Sequence, residues 1–285
     1  MSRQKSKNFL ENKRILVTGA AGSIGSELVR QLSVSNKVFL LDINETGVFD
    51  LINEEKDKGN WVHGRVGDVK NPKTLEDVFS DFKPQVVFHA GAYKHVTPME
   101  WYPREAVETN ILGTLNVIEY AKKYEVGKFI FISTDKAVQS TSIMGATKRV
   151  GEIITRNQGK GYIVVRFGNV LGSRGSVIPI WQKQVERGRP LTVTHKEMTR
   201  YMMTIEDAVN LVIQASEMGT GGEIFCLDMG EKVNVLELAK KIIKGTDLGV
   251  EVIGLRPGEQ LTERLMFEEE ERVAKKVGKF YVISK

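Results

Sequence analysis

The stretch "VTGAAGSIGSEL", Val17 to Leu28, decides the fold. The β-branched run "RILVT" leads into three glycines, Gly19, Gly22 and Gly25, and then into the amphipathic pattern "IGSELVRQLS". Strand, glycine turn and helix in that order present backbone N–H groups and a helix N-terminus to an anion. The spacing is G-x-x-G-x-x-G rather than G-x-G-x-x-G, but the demands are similar. Gly19 makes the tight turn, Gly22 lets backbone approach a pyrophosphate, and Gly25 lets helix and strand pack closely. Ser23 and Ile24 open the helix and belong to the same cofactor site. Asp42 ends the second apolar run, "KVFLLD", about 20 residues on, where an acid hydrogen-bonds a ribose 2′-OH. A carboxylate there repels a 2′-phosphate, so the expected cofactor is NAD rather than NADP. Asp68, closing "WVHGRVGD", is assigned to the adenine amino group, with Val69 beside it; Ala90 and Ala92 in "HAGA" border the cofactor.

Outward from this turn, "KVFLLD", "WVHGRVGD", "PQVVFHAG", "KFIFIST" and "YIVVRFGNV" read as strands two to six. Helical patterns fall between several of them, including "PREAVETNILGTLNVIEYAKKY". Such alternation implies a parallel sheet covered on both faces, and right-handed crossovers make it doubly wound. The expected class is α/β, a doubly wound (Rossmann) parallel sheet with a smaller substrate-binding lobe. Beyond about Tyr162 the regularity loosens into a glycine-rich loop "GSRGSVIP", a helix around "IWQKQVERG" and a short strand "LTVT". Helices over "TIEDAVNLVIQASEM" and "NVLELAKKII" follow, then a loop "RPGEQLTERL" entering a helix. The expected division is a dinucleotide-binding domain at 13–165 and a mainly substrate-binding lobe at 166–285, with segments around 195–216 returning to the first domain.

Composition narrows the function classes. Of 285 residues, 41% are hydrophobic and 27% charged, which suits a globular protein. The net charge is +5, but the basic residues are scattered, so an anionic small substrate is expected and nucleic acid is not. The single cysteine, Cys226 in "EIFCLD", forms no internal disulfide and reads as a small core residue. The polar opening "MSRQKSKNFLENK" has no apolar core of a signal peptide, and no run of about 18 apolar residues is present to span a membrane. The four histidines lack ligand spacing, so no metal is expected.

"STDKAVQSTSIMGATK", Ser133 to Lys148, carries the chemistry. Thr134, Asp135 and Lys136 follow the fifth strand, on the carboxyl edge where α/β proteins bind ligands. Met144 and Lys148 are four apart on the next helix and share a face, with Lys148 in reach of nicotinamide ribose hydroxyls. Tyr124 and Lys128 also fit Y-x-x-x-K, but they precede the fifth strand and sit at the wrong edge of the sheet.

With "TGAAGSIG", "HAGAYKHV", "ETNILGTLNV", "ISTDKA" and "RFGNVLGSRGSVIP" together, the chain resembles the extended short-chain dehydrogenase/reductases. More closely, "STDKA" followed by "MGATKR", "GSRGSVIP", "VTHKEMTRYMMTIEDAV" and "LRPGEQL" looks like the nucleotide-sugar 4,6-dehydratases acting on UDP-N-acetylglucosamine, the polysaccharide-biosynthesis group. The resemblance runs from about Lys13 to Leu265. Larger members of that group carry Met rather than the usual catalytic Tyr at the position of Met144, and a membrane-anchored N-terminal region. The expected location is cytoplasmic, either alone or as the soluble part of a longer membrane-anchored protein. A homo-oligomer, dimer or higher, is expected by analogy, through the helices of "NILGTLNVIEYAKKY" and "MGATKRVGEIITRN".

The resemblance implies a UDP-sugar substrate, Asp135 as acid, Lys136 as base and Thr134 hydrogen-bonded to the sugar 4-oxygen. NAD takes hydride from C4, the resulting ketone acidifies C5–H, water leaves across C5–C6, and hydride returns to C6. The product is a 4-keto-6-deoxy sugar. Asp⁻/Lys⁺ and Asp-H/Lys⁰ hold equal numbers of protons, and a dry pocket favours the neutral pair relative to water. Asp135, a water or Tyr93 is left to take the 4-OH proton. Lys94 and Asn169 are assigned to substrate, and Arg200 and Arg256 to its diphosphate. Val177 in "GSVIP" and Pro190 and Thr192 in "PLTVT" enclose the uracil, and Glu259 fixes Arg256 or a ribose. A 4-epimerase and a non-catalytic dinucleotide sensor are the competing expectations.

Overall fold

Residues 10–285 are described by the structure, a computed structural model; most of the polar opening read above, residues 1–9, lies outside the described residues. Six parallel strands follow one another along the chain: β1 (Arg14–Thr18), β2 (Lys37–Asp42), β3 (Val62–Val66), β4 (Val86–His89), β5 (Lys128–Thr134) and β6 (Tyr162–Phe167). Their spatial order is β3-β2-β1-β4-β5-β6, the doubly wound Rossmann order. In register, Thr18 stands beside Leu41 and His89, and Thr134 beside Phe167.

Alternation along each strand sorts the side chains. Ile15, Val17, Phe88, Ile130 and Ile163 pack on one face, against the helices Ser23–Leu32 and Ile205–Met218. Leu16, Val87, Phe129, Phe131 and Val164 pack on the other, against the helices Pro72–Phe82 and Thr114–Lys123. Both faces are therefore dry, which is why the strands read as continuous apolar runs.

The sheet is wider than the sequence announces. Ile224–Leu227 pairs parallel to β6, and Phe280–Ile283 and Lys275–Val277 extend it antiparallel, giving nine strands in all. Strands of three or four residues are too short to carry a legible period. The sheet thus draws on both expected spans of the chain. Cys226, in the first of these strands, is buried. A separate apolar cluster of Trp181, Leu191, Val193, Met198 and Val235 forms the core of the smaller lobe.

The long pattern after Tyr102 is also not one regular helix. Helices Pro103–Val107 and Thr114–Lys123 flank a π-helical turn at Glu108–Gly113. That wider turn is a common device at functional sites. Here Asn110 holds both backbone groups of Tyr93, at 2.8 and 3.0 Å, and donates to Thr147 Oγ1 at 2.9 Å.

Arg166 on β6 is fully buried, yet it pairs with two carboxylates. Its guanidinium meets Glu152 of the helix Ile143–Arg156 at 2.7 and 2.8 Å and Glu270 of the helix Glu268–Val273 at 2.6 Å. Removing one member of a buried ion cluster strands the others and costs about 3–5 kcal/mol. Arg166→Met is therefore expected to lower unfolding stability by about that amount, read as the denaturant midpoint. A change below about 1 kcal/mol would mean the cluster adds nothing to stability.

Candidate active site

The glycine turn lies where strand order reverses, between β1 and β4. Gly19 has φ +65°, and a Cβ there would sit 2.5 Å from the Gly91 nitrogen. On Gly25 it would sit 2.1 Å from the Gly19 carbonyl oxygen. No side chain caps the following helix, so the first-turn N–H groups at Ser23 and Ile24 are open to an anion. Asp42 braces this turn: Oδ2 accepts from the Ala21 N–H at 2.9 Å and Oδ1 from the Asn44 N–H at 2.9 Å. Asp68 Oδ1 accepts from the Lys70 N–H at 2.8 Å. Val69 is buried against Gly113, and Ala90 donates its N–H to Thr18 at 3.1 Å. Ala92 is partly buried beside Tyr93.

At the end of β5 the chain makes a 3₁₀ turn, Asp135–Ala137, capped by the Thr134 hydroxyl. Thr134 Oγ1 also donates to Asp135 Oδ1 at 3.0 Å. Lys136 Nζ stands among three acceptors: Asp135 Oδ1 at 3.1 Å, Glu263 Oε1 at 3.0 Å and Asn169 Oδ1 at 2.8 Å. Burial opposes the Lys136 charge, but the two carboxylates outweigh it and raise its pKa above the ordinary lysine range. Burial likewise works against the Asp135 charge, yet Lys136, Glu263 and Thr134 hold its pKa below the usual value. Burial makes the neutral pair less unfavourable than in water, as expected, but the charges around Asp135 and Lys136 favour Asp⁻/Lys⁺. Desolvation is real here, but a second carboxylate more than offsets it for the lysine.

Nothing in the sequence singles out that carboxylate, Glu263. In "GEQLTERL" it looks like any surface glutamate; only the fold buries it, at 2% exposure. Gly168 was missed too. A Cβ there would lie 2.8 Å from Asp135 Oδ2 and 2.9 Å from Tyr201 Cβ, so glycine leaves room for the carboxylate. Gly145 lets the next helix start close to the turn, since a Cβ on it would lie 2.1 Å from the Lys136 carbonyl oxygen.

Met144 is 2% exposed and packs with Met99 and Ala106 against Tyr93. Lys148, one turn on, is 6% exposed, with Nζ 4.1 Å from the Phe131 ring centre. Burial pushes its pKa down to about 7, with Glu152 pulling the other way. The decoy pair lies elsewhere: Tyr124 donates to Glu76 at 2.5 Å and Lys128 to the Gly219 carbonyl.

The substrate-side residues are dispersed. Lys94 lies at the rim, its pKa lowered by desolvation and by the charges of Arg174 and Lys136. Arg200 was expected at a diphosphate, but its guanidinium donates to the carbonyls of Thr199, Leu261 and Gln260 at 2.8, 3.1 and 2.7 Å and pairs with Glu263 at 3.2 Å. It ties down the 260–263 segment, which leaves it few donors for a ligand. Arg256 is exposed, and Glu259 fixes its backbone N–H at 3.0 Å rather than its side chain. Val177 opens the helix Val177–Glu186; Thr192 is held by Trp181 and Gln184, and Pro190 is exposed. No cluster of three or more metal-ligating side chains occurs among the described residues, and no helix among them is long and apolar enough to cross a membrane.

The Lys148 site makes a signed prediction for the cofactor-free protein. A lysine whose pKa is depressed to about 7 opposes folding most when protonated. Lys148→Met should raise the denaturant midpoint at about pH 5.5 and do so much less at about pH 9. An equal gain at both values would show that Lys148 titrates as an ordinary lysine.

Comparison with known proteins places this arrangement. A family model described as polysaccharide biosynthesis protein matches residues 15–285. The capsular polysaccharide biosynthesis protein CapD of Staphylococcus aureus is 49% identical over 276 residues, 92% of this chain and 46% of that one. This chain thus spans about half the length of that relative. Among solved structures, Pen from Bacillus thuringiensis superposes with a TM-score of 0.89 at 34% identity, covering 97% of this chain and 89% of Pen. UDP-glucose 4-epimerase from Thermus thermophilus, in complex with NAD, gives 0.77 at 27% identity, covering 86% and 88%.

Proposed function

The chain belongs to the polysaccharide biosynthesis protein family, as an extended short-chain dehydrogenase/reductase of that type, and on that premise we propose that it is an NAD-dependent 4,6-dehydratase of UDP-N-acetylglucosamine. The observation that carries this reading is the acid–base pair at the carboxyl edge of the sheet, a buried Asp135 with the partly buried Lys136 at 3.1 Å, where Met144 replaces a phenol. In this reading the span 13–165 chiefly serves the cofactor and 166–285 chiefly the substrate.

The residues around the glycine turn fit a dinucleotide. A Cβ would fill the cradle at Gly19 and Gly25, and the helix N-terminus faces the pyrophosphate position. Asp42 would take a ribose hydroxyl and Lys148 the nicotinamide ribose. When bound, the nicotinamide supplies the acceptor and donor of hydride for the sugar carbons. The chain's own residues handle protons. Thr134 hydrogen-bonds the 4-oxygen. Transfer of one proton from Lys136 Nζ to Asp135 Oδ1, across 3.1 Å, makes the base and the acid in one step. Lys136 then takes the C5 proton and Asp135 protonates the departing 6-hydroxyl, so the pair ends as it began. Substrate binding expels water and reduces the penalty of that transfer. With Met144 lacking a proton acceptor, Asp135, a bound water or Tyr93 takes the 4-OH proton. Lys94, Arg174 and Arg256 supply positive charge around the diphosphate. Exposed Leu112, Val150 and Ile153 support a dimer through the helices flanking the site.

A second reading, a UDP-N-acetylhexosamine 4-epimerase, draws on the likeness to the Thermus thermophilus UDP-glucose 4-epimerase. An epimerase needs no acid–base pair for elimination. Incubation with UDP-N-acetylglucosamine and NAD separates the two by product mass: the dehydratase product is lighter by one water, the epimer is not. Lys136→Ala should cut water loss by about 10²–10⁴-fold while NAD stays bound. Undiminished water loss in that variant would remove Lys136 as the base.

A further inference from the structure

Two oxygens in this pocket have no partner in the ordinary hydrogen-bond pattern, Asp135 Oδ2 and Glu263 Oε2, and both are shut off from water. Both carboxyl groups share Lys136 Nζ, which lies 3.1 Å from Asp135 Oδ1 and 3.0 Å from Glu263 Oε1, and each leaves its second oxygen buried. Two ionised carboxylates on one partly buried lysine repel each other, whereas a carboxylic acid has a hydrogen to donate to a carboxylate beside it. The charged groups facing Glu263 are Asp135 and Lys136 on the turn after β5 and Arg200 on the strand Thr199–Arg200; Tyr201 stands beside Asp135. Arg200 Nε and Lys136 Nζ both approach the other Glu263 oxygen, Oε1, at 3.2 and 3.0 Å.

On the dehydratase reading above, we propose that Glu263 is a positioning residue that holds a proton against Asp135 and thereby sets how tightly Lys136 keeps its own. With Glu263 neutral, Lys136 faces one full carboxylate, Asp135, and can pass its proton to it. With Glu263 ionised, Lys136 faces two and is locked as a cation. Elimination moves one proton from C5 to the 6-oxygen through Lys136 and Asp135, so the Glu263 proton is neither gained nor lost in turnover. Burial raises the Glu263 pKa to about 7, with Asp135 pushing the same way and Lys136 and Arg200 opposing. The switch therefore falls near neutral pH.

The test is Glu263→Gln, whose amide can donate to Asp135 Oδ2 and accept from Lys136 but cannot ionise. In the wild-type protein, kcat for water loss should fall as pH rises past about 7. In Glu263→Gln that alkaline fall should disappear or move up by about one pH unit or more, with NAD affinity unchanged. Glu263→Ala, which leaves Lys136 and Arg200 short of a partner, should lose about tenfold or more in kcat at every pH. An identical alkaline limb in wild type and Glu263→Gln overturns the proposal. Infrared spectroscopy reads the proton without turnover: the wild type should show a protonated carboxyl C=O band that fades as pH rises past about 7, and Glu263→Gln should lack it. A band that survives the substitution, or none in the wild type, also overturns it. If the wild type loses no water from any UDP-hexosamine, the dehydratase reading fails, and the band alone decides whether the proton is there.

Discussion

Arg166 sits inside the sheet with no exposure to water, gripped from two sides. Glu152 brings to it the helix that carries Met144 and Lys148; Glu270 brings the last described helix, and a third partner, the Leu265 carbonyl, accepts a hydrogen bond at 2.9 Å. Glu152 also accepts from Ser133 Oγ at 2.7 Å, one residue before the Thr134 turn. A single buried cation thus fixes the end of β5, the helix that follows it, and the segment that leads back to Glu263. Each of these depends on the others, because a carboxylate released from Arg166 would stay buried with only the partly exposed Arg149 as its cation, at 2.9 Å from Glu152 and 3.3 Å from Glu270. Thr134, Asp135 and Lys136 follow directly on the strand end that Ser133 ties to this cluster.

Charge is handled differently at Lys148 and at Lys136. Lys148 lies over the ring without a full ion pair, and burial drains its proton affinity towards neutrality. Lys136 is held by two carboxylates and an amide, and its proton affinity rises. The two lysines therefore suit opposite tasks. One can hydrogen-bond neutral hydroxyls; the other stores a proton until something weakens the grip of its carboxylates. The same burial acts on both, and the difference comes wholly from how many anions each one faces.

The glycines mark where backbone meets backbone. Gly19 and Gly25 let the first turn, the first helix and the loop after β4 crowd together. Gly145 and Gly168 do the same around Asp135 and Lys136. The first pair falls in a recognisable spacing, so its purpose is legible. The second pair belongs to no local pattern. Its purpose depends on β5, the helix Ile143–Arg156 and the Gly168 loop arriving at one point, and the chain brings them together from separate stretches.

The sequence by itself determined the strand–glycine–helix opening, the order of the first six strands and the composition of the turn Thr134–Asp135–Lys136. Each rests on local signals: β-branched runs, glycine spacing and the position of a residue at a strand end. Tertiary structure alone decided that Glu263 would join Asp135 and Lys136, that Arg200 would brace the 260–263 segment, and that Lys148 would lose its charge near neutrality. It also widened the sheet with three short strands from beyond residue 216. The physical reason is the same in each case. A carboxylate or a lysine takes its proton affinity from the dielectric and the charges around it, and a residue such as Glu263 meets those neighbours only when a segment more than a hundred residues away folds back against the sheet.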